Sequence, residues 1–215
     1  MVPKLEAEIE RKGFVVLCWT DGGWAHFFSK KPVTGLEDLR RSKLFVWAGD
    51  SHSIELYTQA KFHPVPLAAT DMLPALQTGL IDCFDTPPLA ALINQWFGLA
   101  PYMLDLKWGP LMGAVVISKR GWDLIPPAHR VKLKESARMA SKNMSREIRK
   151  MGDDAVPAMA KRGLKITQLS PEALAAWRKE TEEFWKRMRG RMGPAELTDE
   201  VIRLRAEYRA KKAKK

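Results

Sequence analysis

The sequence predicts an α/β fold in which a parallel sheet is covered by helices. Apolar runs of strand length alternate with helix-like segments from Lys43 to Phe97, the pattern of repeated βα units. Farther on, Leu133, Ala137, Ala140, Met144, Ile148, Met151, Ala155 and Met159 recur at 3- and 4-residue spacing, which marks one face of a long helix. Punctuation agrees with both, since Gly79 and Pro87-Pro88 stand where elements must stop. With 215 residues, 46% of them hydrophobic, the chain can bury one large core or two small ones.

In chain order, Phe14 to Trp19 reads as a buried strand that leads through Asp21-Gly22-Gly23 into Trp24 to Ser29. The glycines allow a sharp turn there. Lys43 to Trp47 is a strand, Ser51 to Phe62 a helix capped by Ser51, and Pro64 to Leu67 a strand. Thr70 caps a short helix that Gly79 ends, and Leu80 to Phe84 is the next strand. Two prolines stop that strand and admit a helix over Leu89 to Phe97. A strand end facing a helix start is where open α/β sheets hold ligands. Met112 to Ser118 follows as a strand, then the long helix over about 128–159, closed by Gly163. Leu164 to Leu169 is a short strand, and Ser170-Pro171 is an N-cap with proline at the first helical position. Leu174, Trp177, Thr181, Phe184 and Met188 form the stripe of that last helix, and Gly190 to Pro194 breaks it.

Catalytic signatures are missing. His26, His52, His63 and His129 show no metal spacing with Cys or carboxylates, and Cys83 has no nucleophile context. Asp50-Ser51-His52-Ser53 puts triad residue types side by side, but neighbours on one segment cannot adopt triad geometry. No GxSxG, P-loop or GxGxxG occurs, so the sequence reads as a non-enzyme with no cofactor and no metal. Cys18 and Cys83 sit in apolar runs, as small buried hydrophobes do. No run reaches the roughly 18 apolar residues of a membrane span, and the opening MVPKLEAEIERKG carries charges where an export signal needs an apolar core.

The net charge is +11. From Arg178 onward there are 13 Lys and Arg against 7 Asp and Glu, so over half of the excess lies in the last helix and the terminal KKAKK. A solvated face and a frayed end account for it. No aromatics interleave with the final lysines to stack on bases, so no nucleic-acid partner is expected. Weak attraction to anionic lipid headgroups is compatible with this charge.

One segment carries a family likeness. Ala75-Leu76-Gln77-Thr78-Gly79, Asp82 and Pro87 match the "ALQtGvvDGqEnP" motif, with Cys83, Phe84, Asp85 and Thr86 departing from it. Upstream, KKPVTGLEDLRRSKLFV continues the likeness, as do VVISKRGWDLIPP and SPEALAAW downstream. Over residues 13–188 the chain resembles the solute-binding proteins of TRAP transporters, the DctP-like family. The resemblance implies a periplasmic-binding-protein-like two-lobe α/β fold with long C-terminal helices. Residues 35–111 would be lobe II, intact; 1–34 and 112–194 would be the hinge strands and helices of an incomplete lobe I; 195–215 would be a basic helix or tail. The start would then fall near the first crossing between lobes, as in an N-terminally truncated member. It also implies a periplasmic protein that captures a small organic ligand between lobes and closes for a TRAP membrane permease. The alternatives are a basic module contacting nucleic acid or membrane through its C-terminal helix, or a non-functional fragment.

The departures bear on ligand chemistry. Carboxylate binders that this chain resembles carry an arginine in "KiRv" and another in "GfRhftn", and the matching positions here are Phe45 and Ala25. The chain thus looks like a subgroup lacking the usual carboxylate-binding arginines. Thr86 stands for the polar Asn before Pro87. Trp19, Trp24, Phe45 and Trp47 lie in or beside segments that the resemblance places along the cleft. The ligand-binding set is therefore Trp19, Trp24, Ala25, Phe45, Trp47, Thr86 and Pro87, and the ligand is expected to be apolar or aromatic in part.

Overall fold

In the computed structural model, which describes residues 2–191 and 194–213, one strand organises the chain. After helix α1 (Val2–Arg11), β1 (Phe14–Ser29) runs for 16 residues without reversing. Its first two-thirds pair with β6 (Gly109–Ser118) and its end pairs with β4 (Cys83–Thr86) and β5 (Tyr102–Leu104), all antiparallel. The turn expected at Gly22-Gly23 is not made. The ladder instead passes the glycines with a register shift between Asp21 and Trp24, where Gly23 takes φ 92°. Both flanking runs find ladder partners, so the flexible residues become a bulge rather than a corner.

Beyond β4 lie β2 (Lys43–Trp47) and β3 (His63–Leu67), and beyond β5 lies β7 (Lys165–Thr167), giving the order β3-β2-β4-β1-β5-β7. β2 pairs in parallel with β3 and β4, as β5 does with β7. The sheet is mixed, not parallel as the βα alternation implied. The difference comes from β1, which enters antiparallel to every neighbour. β4 also begins later than expected, at Cys83, and runs through Asp85 and Thr86. Asp82 explains the offset. Its carboxylate accepts the Lys43 N–H at 2.7 Å, while the Lys43 Nζ donates to the Gly79 carbonyl at 2.9 Å, pinning the turn before the strand.

Side-chain alternation along β1, β2 and β4 makes two cores on opposite faces. Phe28, Phe45 and Phe84 pack with Met72 and Leu76 of α4 (Met72–Thr78), Ala91 of α5 (Pro88–Ile93) and Met159 of α7 (Pro127–Ala160). Phe27, Leu44, Cys83 and Leu104 pack with Leu39 of α2 (Leu36–Arg41), Phe62 beyond α3 (Ser51–Gln59) and Trp177 of α8 (Pro171–Met188). Both cysteines are free and buried. Gly79 ends α4 at φ 76° and Ser170 caps α8 through the Ala173 N–H, as expected. Two caps differ. Asp50, not Ser51, accepts the Ser53 N–H of α3, and a short 3-10 turn over Ala69–Asp71 replaces a Thr70 cap.

The long helix is where the sequence predicts, and its buried side coincides with the predicted stripe only in part. Ser141, Ala155 and Met159 face inward, with Ile148 and Gly152 half-buried, whereas Met144 and Met151 are each 48% exposed. Ser141 donates to the Trp19 carbonyl, and small residues let α7 approach β1. An apolar pattern does not register contacts made through Ser141 and Gly152. The predicted basic tail forms α9 (Ala195–Ala213), tied back by the Arg189–Asp199 pair. Met192 and Gly193 of the predicted helix break, Lys214 and Lys215 of KKAKK, and Met1 lie outside the described residues.

Candidate functional site

The β1 bulge builds one wall of a cavity. Asp21 holds it in shape: one carboxylate oxygen accepts the Gly23 N–H at 2.8 Å and the other accepts Arg149 of α7 through Nε, at 2.8 Å, and through Nη2. These bonds, the Gly23 N–H first, hold the Asp21 carboxyl below the usual carboxylate range. A side chain at Gly23 would come within 3.9 Å of Pro87, so the bulge lies near the end of β4 and is tied to α7 through Asp21 and Arg149. Between them opens a cavity of about 610 Å³, within the range of small-ligand sites.

Its lining is divided. Trp24, Leu89, Met103, Met112, Val156 and Ile166 supply carbon surface, and Trp24 is 46% exposed. His26, Asp105, Lys107, Arg149 and Asp153 supply the polar groups. His26 is 7% exposed, and its Nδ1 lies 3.1 Å from the Leu104 carbonyl. A carbonyl only accepts, so Nδ1 carries the proton. Burial lowers the His26 pKa, against smaller upward pulls from that carbonyl and Asp105.

The residues singled out from the sequence fall in three places. Trp24 and Pro87 line the cavity. Ala25 is buried beside it, next to His26, which faces Thr86 across the β1–β4 ladder. Phe45 is 3% exposed in the core with Phe28 and Phe84, and its ring meets Trp47 at 5.3 Å. Trp47 itself is 57% exposed at the end of β2, with β4 between it and β1. Trp19 lies elsewhere, its indole N–H donating to Glu6 of α1 at 3.0 Å. Sequence reasoning missed Asp21, Asp105, Arg149 and Asp153. Arg149 and Asp153 look like any solvated helix face, and only the Asp21-Gly22-Gly23 bulge gave a local signal.

Among the described residues no cluster of three or more His, Cys, Asp or Glu could hold a metal ion, and no helix is long and apolar enough to cross a membrane. The sequence profile of the bacterial extracellular solute-binding proteins, family 7 (DctP), matches residues 1–191. The chain belongs to this family. It is 23% identical over 190 residues to the C4-dicarboxylate-binding periplasmic protein DctP of Rhodobacter capsulatus, covering 88% of this chain and 57% of that protein. A TRAP periplasmic solute-binding protein from Ralstonia eutropha, with bound (S)-2-acetolactate, superposes with a TM-score of 0.83 at 24% identity over 92% of this chain and 64% of its own. One from Haemophilus influenzae with bound L-gulonate gives 0.86 at 16%, over 96% and 66%. The chain thus has the fold of these two-lobed proteins and spans about two-thirds of their length or less.

Proposed function

We propose that this family 7 chain serves in the extracytoplasmic, periplasmic solute-binding subunit of a TRAP-type transporter, a non-enzymatic carrier that presents a small organic ligand to a membrane permease. The observation that carries this reading is the cavity at the β1 bulge, where the end of β4, the crossing strand β1 and the spanning helix α7 converge. A ligand seated there touches elements from both hydrogen-bonded ends of β1. It would favour the closed arrangement by its differential affinity, and the permease would recognise that arrangement. Relatives in this family hold sugar acids and small hydroxy or keto acids. Ala25, where the resemblance places a carboxylate-binding arginine, lies buried beside the cavity, and the apolar part of the lining supports a ligand with an aliphatic or aromatic body.

Thermal-shift measurements test this. A ligand at a hundred times its dissociation constant adds about 2.7 kcal/mol to folding, so the melting temperature should rise with an apolar or aromatic solute. Malate, succinate and fumarate at millimolar concentration should leave it nearly unchanged. Replacing Trp24 by Ala should abolish the shift. Stabilisation by succinate that survives Trp24→Ala would remove the cavity from the mechanism.

A further inference from the structure

We infer that a second pocket, apart from the cavity at the bulge, binds a phosphate monoester, either a small soluble one or the headgroup of a lipid. The pocket opens between α8, α9 and the segment joining β5 to β6, and its volume of about 270 Å³ suits a compact group. Leu106, Trp108, Leu174 and Trp177 give it carbon surface. Lys107, Arg178, Arg205 and Arg209 reach it from the three elements, against Glu182 as the one carboxylate of the lining. None of the four cations has an ion-pair partner among the described residues. Arg205 and Arg209 stand four residues apart on one face of α9, a spacing at which like charges repel. Trp177 is the most buried lining residue, at 3% exposed, and its indole N–H has no acceptor among the described residues, a donor that the protein itself leaves unmet.

The acids on the surrounding elements do not cancel this charge. On α8, Glu180 is taken by Arg40 and Arg187 and Glu183 by Lys186, while Glu172 is engaged by Ser170 at the helix start. On α2, which packs on α8, Glu37 and Asp38 pair with Arg40 and Arg41. On α9, Asp199, Glu200 and Glu207 pair with Arg189, Lys4 and Arg203, and Glu196 in the first turn acts on Arg189. Asp105 lines the other cavity and acts on His26 there. The remaining charges of the two helices, Lys179, Lys211 and Lys212, are positive. A carboxylate offers two oxygens and one charge, which a single guanidinium fork satisfies. A phosphate monoester offers three oxygens and close to two charges, and so can engage guanidinium groups from both helices at once.

Calorimetric titration of the 215-residue chain with phenyl phosphate and with inorganic phosphate tests the assignment. Phenyl phosphate should bind, and inorganic phosphate should bind more weakly because it has no body to set against Leu106, Trp108 and Leu174. Arg205→Gln combined with Arg209→Gln should weaken phenyl phosphate by roughly tenfold or more, the scale of a lost charge-assisted hydrogen bond. Arg203→Gln combined with Lys211→Gln removes the same charge from the same helix outside the pocket, and should change the affinity by no more than about twofold, the residue of long-range attraction. In 15N spectra of the wild-type chain, the indole N–H resonances of Trp108 and Trp177 should move with phenyl phosphate while that of Trp24, in the other cavity, stays. Sedimentation with phosphatidate vesicles, set against phosphatidylcholine vesicles, separates the two sources. Retention that phenyl phosphate displaces and the Arg205/Arg209 variant loses assigns the site to a lipid headgroup, whereas phenyl phosphate binding without retention assigns it to a soluble monoester. Equal weakening by the two double variants, movement of Trp24 in place of Trp108 and Trp177, or failure of phenyl phosphate to bind at millimolar concentration would overturn the inference, and none of these touches the ligand-capture reading of the cavity at the bulge.

Discussion

Asp85 is a carboxyl that its surroundings partly remove from water. It stands on β4 opposite Phe27, and burial raises its pKa from 3.8 to about 6. Burial also pushes up the Tyr57 and Cys83 groups nearby, and the Asp85 charge adds to both shifts. The sign of the linkage follows from a folded pKa above the unfolded one. The native state holds the proton more tightly, so this contribution to stability is fully present below pH 3.8 and is lost as pH rises through about 6. The shift corresponds to about 3 kcal/mol. Asp85→Asn should therefore raise stability at pH 7 by up to that amount and flatten the decline between pH 4 and 6. Denaturant titrations across that range check it, and an unchanged pH slope in the variant would show that Asp85 is solvated.

At the scale of the element, α7 decides how the cavity is walled. Its inward side runs through Ser141, Ile148, Gly152, Ala155 and Met159, while Met144 faces solvent. Met144→Asp should thus be nearly silent, within about 0.5 kcal/mol. Met159→Ala, which empties a fully buried site beside Phe84 and Leu164, should cost about 2–5 kcal/mol. Thermal melts of the two variants give the comparison directly; a large loss from Met144→Asp would mean that α7 is rotated from its assigned face. The predicted stripe packs in part, through Ile148, Ala155 and Met159, and departs at Met144 and Met151 for a physical reason. Several 3.6-residue rows can be drawn on a 34-residue helix, and the row that packs is the one whose small residues permit close approach.

For the whole molecule, the notable surface is the β1–β6 ribbon. Among the described residues β6 pairs only with β1, and Leu111, Met112, Val115 and Val116 are exposed along it. Consecutive exposed residues mean that both faces of β6 are open there, and an open apolar edge is a template for pairing with another chain. The 215-residue chain should self-associate by itself, more strongly as salt screens the repulsion between molecules of net charge +11. Sedimentation across concentration and salt measures this, and Val116→Lys should shift the distribution toward monomer. A monodisperse monomer with a sharp, high-temperature melt under every condition would refute the prediction.

The sequence by itself determined the βα succession from Lys43 to Ile93, the glycine stop at Gly79, the proline start of α8 and the family. Each of these is written in contiguous residues, through hydrophobic period or backbone chemistry that any context would respect. It also marked Trp24 and Pro87, two residues that line the cavity. Only the tertiary structure decided that Gly22-Gly23 is a bulge in a continuous strand, that Phe45 lies in the core, and that Trp19 is held by α1. It alone joined Asp21 to Arg149, residues 128 positions apart, and aimed His26 by a carbonyl 78 positions away. Such pairings depend on which strands meet and how a helix is rotated upon them, and these are set by the summed packing of the whole chain rather than by the residues that pair.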